Sequence, residues 1–224
     1  MKIITLLLGL TLLHSILIAQ TLEGLPVQSS YDNGKVHERY RTNSNGNISG
    51  TYVEYNEDGK KKEVSHYSNG ILNGTQTIYD DGTQVGVYNY IKGVKEGTFW
   101  EIQTKSLEND LNDYYKRFLI VKCVGTYKSD HLFGKYTETV IAEQKGITGD
   151  RIKKNVVYIT GSYNANGEQE GEWMDEIGWT GLSYYSRVLA KGKYVKGEPV
   201  GTWTIRTDYM PYKLPENTPR TMTF

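Results

Sequence analysis

The stretch that decides the fold is Tyr194–Trp203, YVKGEPVGTW, in which two glycines lie between two aromatic residues at fixed spacing. Tyr90–Phe99, YIKGVKEGTF, has the same spacing. Each segment reads as an aromatic residue, a short polar turn, and then a glycine placed two residues before the next aromatic. This pattern predicts a β-hairpin that occurs more than once along the chain.

The hairpin pattern extends over most of the sequence as an internal repeat. The three fullest copies, G-x-Y followed by a turn and G-x-aromatic, span 125–136, 161–173 and 192–203. Three earlier copies keep the second half of the pattern. The later glycines of the six repeats are Gly50, Gly74, Gly97, Gly134, Gly171 and Gly201. Consecutive glycines of this set are 24, 23, 37, 37 and 30 residues apart. These spacings predict shorter strands or loops in the first repeats and longer ones in the later repeats.

The residues within each repeat predict strands joined by tight turns. Thr51–Tyr55, TYVEY, combines β-branched and aromatic residues whose side chains alternate between faces in an extended strand. The polar connections contain Gly and Asn, which adopt the positive φ angles of hairpin turns. These connections are 57–59, 68–70, 80–82 and 164–167. The glycine before each aromatic, as in Gly171-Glu-Trp173, is expected to leave room for a ring from a neighbouring repeat.

These residues carry a resemblance to a known family. The pattern Y-x-x-G-x-x-x-G-x-W of Tyr194–Trp203, and its close copy at Tyr90–Phe99, resembles a MORN repeat, and the resemblance covers about residues 31–206. It is closest to the bacterial MORN-variant proteins, some of which are catalogued as antitoxin-like. The resemblance implies an all-β fold: an elongated repeat array of antiparallel β-hairpins forming a twisted single-layer sheet. The steps of 37 residues exceed the usual length of such a repeat.

Two insertions account for the longer steps. Residues 104–116 are expected to form an irregular loop with a helical turn, although Leu107 and Leu111 also allow a short helix. Residues 118–124, FLIVKCV, predict a core strand.

The ends of the chain carry different signals. Residues 1–19 resemble a secretory signal peptide, with Lys2 before an apolar run that ends at Ala19. A buried helix or a retained membrane anchor is the alternative. We therefore expect a signal peptide at 1–19, a linker at 20–30, the repeat domain at 31–206 and a proline-containing tail at 207–224. Cleavage near Ala19 would release the protein into the periplasm or outside the cell.

Composition limits the function classes. The 26 basic side chains balance the 26 acidic ones, which argues against a nucleic-acid partner. A single cysteine, Cys123, excludes an internal disulfide and thiolate zinc clusters. Because aliphatic residues are few and tyrosines number 19, we expect a thin core rather than a deep one.

No catalytic motif appears in the sequence. The histidines after the signal peptide, His37, His66 and His131, have no metal-ligand spacing, and the glycine pairs do not form a phosphate-binding loop. The acidic pair Asp80-Asp81 lies in a turn, where capping is the simpler role. We expect a non-enzyme without a cofactor or metal.

The aromatic residues are the candidate binding residues. Tyr52, Trp100, Trp173 and Trp203 could line an exposed face and contact a peptide, glycan or lipid headgroup, or they could be the packing of the repeat itself. The lysine clusters at 60–62 and 153–154 could contact an anionic surface, or they could be solvated turns.

The expected function is that of an exported scaffold that binds an envelope or secreted protein through an open sheet face or edge. The alternatives are an antitoxin-like immunity protein, a lipid- or glycan-binding module and, least favoured, an enzyme that acts on polysaccharide or lipid. The sequence leaves the oligomeric state open.

Overall fold

The computed structural model describes residues 24–106, 115–146, 151–179, 187–208 and 220–224, and every regular element among them is a β-strand. The strands are β1 (Pro26–Ser30), β2 (Val36–Arg41), β3 (Gly50–Tyr55), β4 (Lys61–Ser68), β5 (Ile71–Asp80), β6 (Thr83–Ile91), β7 (Val94–Lys95), β8 (Gly97–Ser106), β9 (Tyr115–Lys128), β10 (His131–Leu132), β11 (Gly134–Gly146), β12 (Arg151–Tyr163), β13 (Gln169–Trp179), β14 (Arg187–Val195), β15 (Glu198–Asp208) and β16 (Arg220–Thr223). No helix capable of crossing a membrane occurs in this described part.

The chain divides into two units at Val94/Lys95. In the N-terminal unit, β1 to β6 pair antiparallel in chain order. In the C-terminal unit, β8, β9 and β11 to β16 also pair antiparallel in chain order, and the short β10 pairs with β9. The predicted all-β array of antiparallel hairpins in a single layer is therefore confirmed.

The predicted turns have the backbone geometry that their residues favour. Asn69 and Gly70 have φ of 52° and 79°, and Asp81 and Gly82 have φ of 47° and 79°. Two consecutive positive φ values are the signature of the tight turns whose twist matches that of paired strands. Asn and Asp tolerate this left-handed region better than most other residues, which explains their place before glycine.

The sheet extends beyond the predicted limits of the repeat domain. β1 lies inside the predicted linker, and β16 lies inside the predicted tail, where it pairs with β15. The predicted strand at 118–124 is confirmed as part of β9. The ends of the predicted 104–116 loop belong to β8 and β9, so this part of the loop prediction is wrong, and 107–114 lie outside the described residues. The signal-peptide segment and the tail prolines also lie outside them.

The core of the C-terminal unit contains Val140, Ile159, Leu189 and Ala190 together with Trp173 and Trp203, and a row of side chains that crosses the strands runs through it. Aromatic rings and glycines alternate along it from one strand to the next. In strand order from β8 to β15, without β10, the alternating residues are Phe99, Gly125, Tyr136, Gly161, Trp173, Gly192 and Trp203, and Met222 on β16 ends the row. We call this row the ring–glycine ladder.

The ladder corrects the role that the sequence assigned to the glycines. A Cβ on Gly161 would lie 2.0 Å from the Trp173 ring, and a Cβ on Gly192 would lie 2.1 Å from the Trp203 ring. A Cβ on Gly171, by contrast, would meet nothing within 4 Å, and this glycine has a φ of 79°. The first glycine of the repeat therefore receives the ring, whereas the glycine before the aromatic provides a left-handed backbone conformation.

Hydrogen bonds also link successive turns within each unit. The N–H of Gly93 donates to the carbonyl oxygen of Leu72 at 2.8 Å, and the N–H of Gly197 donates to that of Gln169 at 2.9 Å. A side chain adds a second link, because the Glu170 carboxylate accepts from the N–H of Lys196 at 2.9 Å. Asn73 accepts from the N–H of Lys92 in the same way, at 3.0 Å. The turns at 92–93 and 196–197 are thus each fixed by the repeat before them.

The N-terminal unit contains a polar version of the ladder, which sequence reasoning missed. Ser65-His66-Tyr67 occupies the place of G-x-Y, and Ser65 is fully buried between Tyr52 and Gln76 on the adjacent strands. The spacing from Ser65 to the turn residue Gly70 equals the spacing from Gly192 to Gly197. This match could have identified Ser65-His66-Tyr67 as the first half of a repeat.

Candidate binding surfaces

Trp173 and Trp203 lie inside the ring–glycine ladder. Their residues are 2% and 1% exposed. Tyr194 stands between them, with its ring centroid 6.0 Å from that of Trp173 and 4.9 Å from that of Trp203, both in edge-to-face geometry. Such pairs stabilise beyond the area that they bury. For these two tryptophans the structure supports the packing alternative and leaves no ring surface for a ligand.

Trp100 lies on the other face of the C-terminal unit, because it follows the ladder residue Phe99 along β8. It is partly exposed and stands opposite Val124, which is 44% exposed. The Lys122 ammonium lies 5.9 Å from the centre of the Trp100 ring. Tyr158 is 60% exposed. The structure therefore does not place Trp100 with the other two tryptophans on one face.

Tyr52 belongs to a different kind of surface in the N-terminal unit. Its ring centroid lies 5.9 Å from that of Tyr40 on β2 and 5.9 Å from that of Tyr67 on β4. All three side chains are partly exposed. This tyrosine row follows from the register, since Tyr52 pairs with Ser65 and Tyr67 lies two residues further on the same face.

A row of carboxylates lies beside the three tyrosines. Glu38 stands opposite Glu54, and Glu54 stands opposite Glu63, so one glutamate from each of β2, β3 and β4 faces the same side. Side chains at even spacing along a strand share a face. Glu38 is two residues from Tyr40, Glu54 is two residues from Tyr52, and Glu63 is four residues from Tyr67, so each glutamate lies on the same face as its tyrosine. We call these six residues the tyrosine–glutamate face.

Hydrogen bonds fix the orientation of the carboxylates. The Tyr52 hydroxyl donates to Glu38 at 2.9 Å. The Ser65 hydroxyl and the Gln76 amide both donate to Glu63, the latter at 3.0 Å. Lys62 donates to Glu54 at 2.6 Å. Lys62 is an extra residue at a bulge, since Tyr55 pairs with Lys61 and Glu54 pairs with Glu63.

The carboxylates make the face electronegative. Burial raises the pKa of the Tyr52 phenol well above its usual value, and the hydrogen bond to Glu38 and the charges of Glu38, Glu54 and Glu63 raise it further. A further negative charge on the phenol beside these three carboxylates is therefore disfavoured, and Tyr52 stays a neutral donor at physiological pH.

Sequence reasoning found Tyr52 but missed the other five residues of this face. The available signal was the two-residue period of side chains along a strand. Glu54 lies two residues from Tyr52, and on the next strand Glu63 and Tyr67 each lie two residues from Ser65. Register was needed to show that the three glutamates are neighbours, because the chain separates them by 16 and 9 residues.

The thiol of Cys123 is held within the packed core. Burial raises the pKa of the Cys123 thiol, which lies in the core of the C-terminal unit beside Tyr136. Among the residues that the structure describes, no three histidine, cysteine, aspartate or glutamate side chains are grouped closely enough to bind a metal ion.

Comparisons with protein-family models, with curated proteins and with solved structures returned no match to this chain.

Proposed function

We propose that the protein is an exported, non-enzymatic scaffold of the MORN-like type that binds an envelope or secreted protein through the tyrosine–glutamate face. The observation that carries this proposal is the contrast between two aromatic rows. The ladder rings of Trp173 and Trp203 are buried, whereas Tyr40, Tyr52 and Tyr67 keep exposed area beside the three glutamates. Tyrosine rings give large contact area at low conformational cost, and they are enriched in protein interfaces.

The signal-like segment at 1–19 supports the export part of this proposal. A repeat sheet suits a scaffold because each strand contacts only its neighbours, so a face is left open to a partner.

The proposal is tested by affinity capture from envelope and secreted fractions with residues 20–224 as bait. We expect one protein to bind saturably and to be lost with the double variant Tyr40→Ala/Tyr67→Ala. The matched control is Tyr158→Ala, which removes a tyrosine that is 60% exposed on the C-terminal unit. Equal capture by both variants and the wild type would contradict this face as the binding surface.

A second candidate function is favoured by the Trp100 face. Aromatic, cationic and apolar groups lie together on the face of the C-terminal unit opposite the ladder. They belong to Trp100, Lys122, Val124 and Tyr158. This combination suits an anionic lipid or glycan surface. Sedimentation with vesicles of phosphatidylglycerol and phosphatidylcholine tests it: Trp100→Ala should reduce binding, and Tyr40→Ala/Tyr67→Ala should not.

A further inference from the structure

The carboxylate row is costly for the fold. Glu38, Glu54 and Glu63 lie directly opposite one another on three adjacent strands. Neighbouring strands are about 4.8 Å apart, and like charges at opposing positions destabilise a sheet. Lys62 offsets part of this charge by binding Glu54 at 2.6 Å. The His37 imidazole lies 3.9 Å from the same carboxylate.

The donors to Glu38 and Glu63 orient the carboxylates without neutralising them. These donors are the Tyr52 hydroxyl for Glu38, and the Ser65 hydroxyl and Gln76 amide for Glu63. An ionised carboxylate has room for about four hydrogen bonds. Both groups therefore keep acceptor capacity and charge for a cation that arrives from outside the sheet.

The tyrosine rings next to this row suit the same kind of ligand. Cations are attracted to the faces of aromatic rings. The guanidinium group of arginine can also form two parallel hydrogen bonds with one carboxylate and stack on a ring, which a lysine ammonium cannot do. Rings at 5.9 Å spacing beside three carboxylates offer both contacts within one surface.

We infer that the partner of the tyrosine–glutamate face is an extended, arginine-containing basic segment of a protein. The inference rests on the proposed function and adds the chemistry of the partner. In an extended chain, alternate side chains lie on one side about 7 Å apart. Arginines at alternate positions can therefore reach carboxylates on neighbouring strands, and the face supplies the charge complementarity that guides association.

The test uses residues 20–224, which include every described residue, and fluorescein-labelled octa-arginine as the probe in fluorescence anisotropy. We expect saturable binding that weakens about tenfold between 50 and 300 mM NaCl, since exposed charges are screened at higher salt. Octa-lysine should bind more weakly, and octa-glutamate should not bind. Absence of octa-arginine binding by the wild type would overturn the inference.

The triple variant Glu38→Gln/Glu54→Gln/Glu63→Gln should lose at least about tenfold in affinity for octa-arginine, because glutamine keeps the shape and removes the charge. Its matched control, Glu57→Gln/Glu172→Gln/Glu198→Gln, makes the same change of net charge at exposed glutamates outside the face. Equal losses in the two variants would mean non-specific attraction and would overturn the inference.

Two further readouts keep the test decisive. The triple variant should unfold at a temperature equal to or above that of the wild type, since cross-strand repulsion is relieved. If it fails to fold, the single variant Glu54→Gln, with Glu172→Gln as control, replaces it. Loss of the captured envelope protein with Tyr40→Ala/Tyr67→Ala but not with the glutamine variants would leave the proposed function standing and refute the basic segment.

Discussion

At the scale of single residues, glycine has two separate roles in this fold. Gly161 and Gly192 make space for tryptophan rings, and Gly171 adopts a φ of 79° with open space where a Cβ would lie. The two roles respond differently to substitution, since a filled space rejects any side chain whereas a left-handed backbone accepts asparagine.

We expect Gly161→Ala to lower the free energy of unfolding by about 3 kcal/mol, because the new Cβ would overlap the Trp173 ring. Gly171→Asn should cost less than about 1 kcal/mol, because asparagine tolerates a positive φ. Urea denaturation followed by tryptophan fluorescence measures both.

Combining Gly161→Ala with Trp173→Leu should lower the free energy of unfolding by less than the sum of the two single changes. Strict additivity would mean that the ring does not occupy this space.

The two ladder tryptophans differ in hydrogen bonding. The Trp173 Nε1 donates to the Ser162 carbonyl oxygen at 3.1 Å, whereas the buried Trp203 Nε1 has no acceptor among the described residues. Trp173→Phe should therefore lower the free energy of unfolding by about 1 kcal/mol more than Trp203→Phe. Urea denaturation followed by far-ultraviolet circular dichroism measures the difference. A larger loss at Trp203 would contradict the assignment.

The pH dependence of stability follows from the buried phenols. Burial raises the pKa of both Tyr52 and Tyr136 above the usual value of about 10, and hydrogen bonds to Glu38 and Cys123 respectively raise it further. The unfolded chain loses these protons near pH 10 and the folded chain keeps them. Stability from these groups is therefore complete below about pH 10 and decreases as the pH rises above it.

We expect Tyr52→Phe to make this alkaline decrease less steep, because one phenol with a raised pKa is removed. Urea denaturation at a series of pH values between 8 and 11 measures the slope, with Tyr158→Phe as the control at an exposed tyrosine. Identical slopes in all three proteins would contradict the raised pKa of Tyr52.

At the scale of elements, the turns at 92–93 and 196–197 are held by the repeat before them. The Glu170 carboxylate accepts from the N–H of Lys196 at the turn between β14 and β15. Glu170→Ala should lower the free energy of unfolding by about 1 kcal/mol, and Glu170→Gln should restore most of it, since the amide oxygen also accepts. Amide hydrogen exchange of Lys196 reports the contact directly. Glu172→Ala, at an exposed glutamate on the same strand, should leave that exchange unchanged.

The sequence predicted elements better than it predicted their register. Turn residues such as Asn69-Gly70 and the alternation in Thr51–Tyr55 are local signals, so hairpins and strands followed from them. The carboxylate row depends on which residues of β2, β3 and β4 stand opposite one another, and bulges alter that pairing. The sequence offered packing of the repeat as one role for Trp173 and Trp203, but the cross-strand register was needed to show that Gly161 and Gly192 lie beside them.

At the scale of the whole molecule, the two units have different cores. Every buried apolar residue in the described part of the chain lies between Lys95 and Phe224, whereas the buried side chain of the N-terminal unit is Ser65. Buried apolar area is the main source of stability, so the C-terminal unit should be the more stable one.

All four tryptophans also lie in the C-terminal unit. We therefore expect tryptophan fluorescence to report unfolding at a higher urea concentration than circular dichroism at 218 nm, which reports both units. Hydrogen exchange should give greater protection in β11 to β14 than in β2 to β5. Coincident transitions with uniform protection would instead mean that the chain unfolds as one cooperative unit.

The alternation of ring and glycine from strand to strand limits how the array can change in length. Removing one strand would bring two rings, or two glycines, side by side, with a collision in the first case and a gap in the second. Removing a ring strand together with its glycine strand restores the pattern. The array can therefore gain or lose length by duplication or deletion of strand pairs, and a gene that encodes it is expected to tolerate copy-number changes of whole hairpins but not of half hairpins.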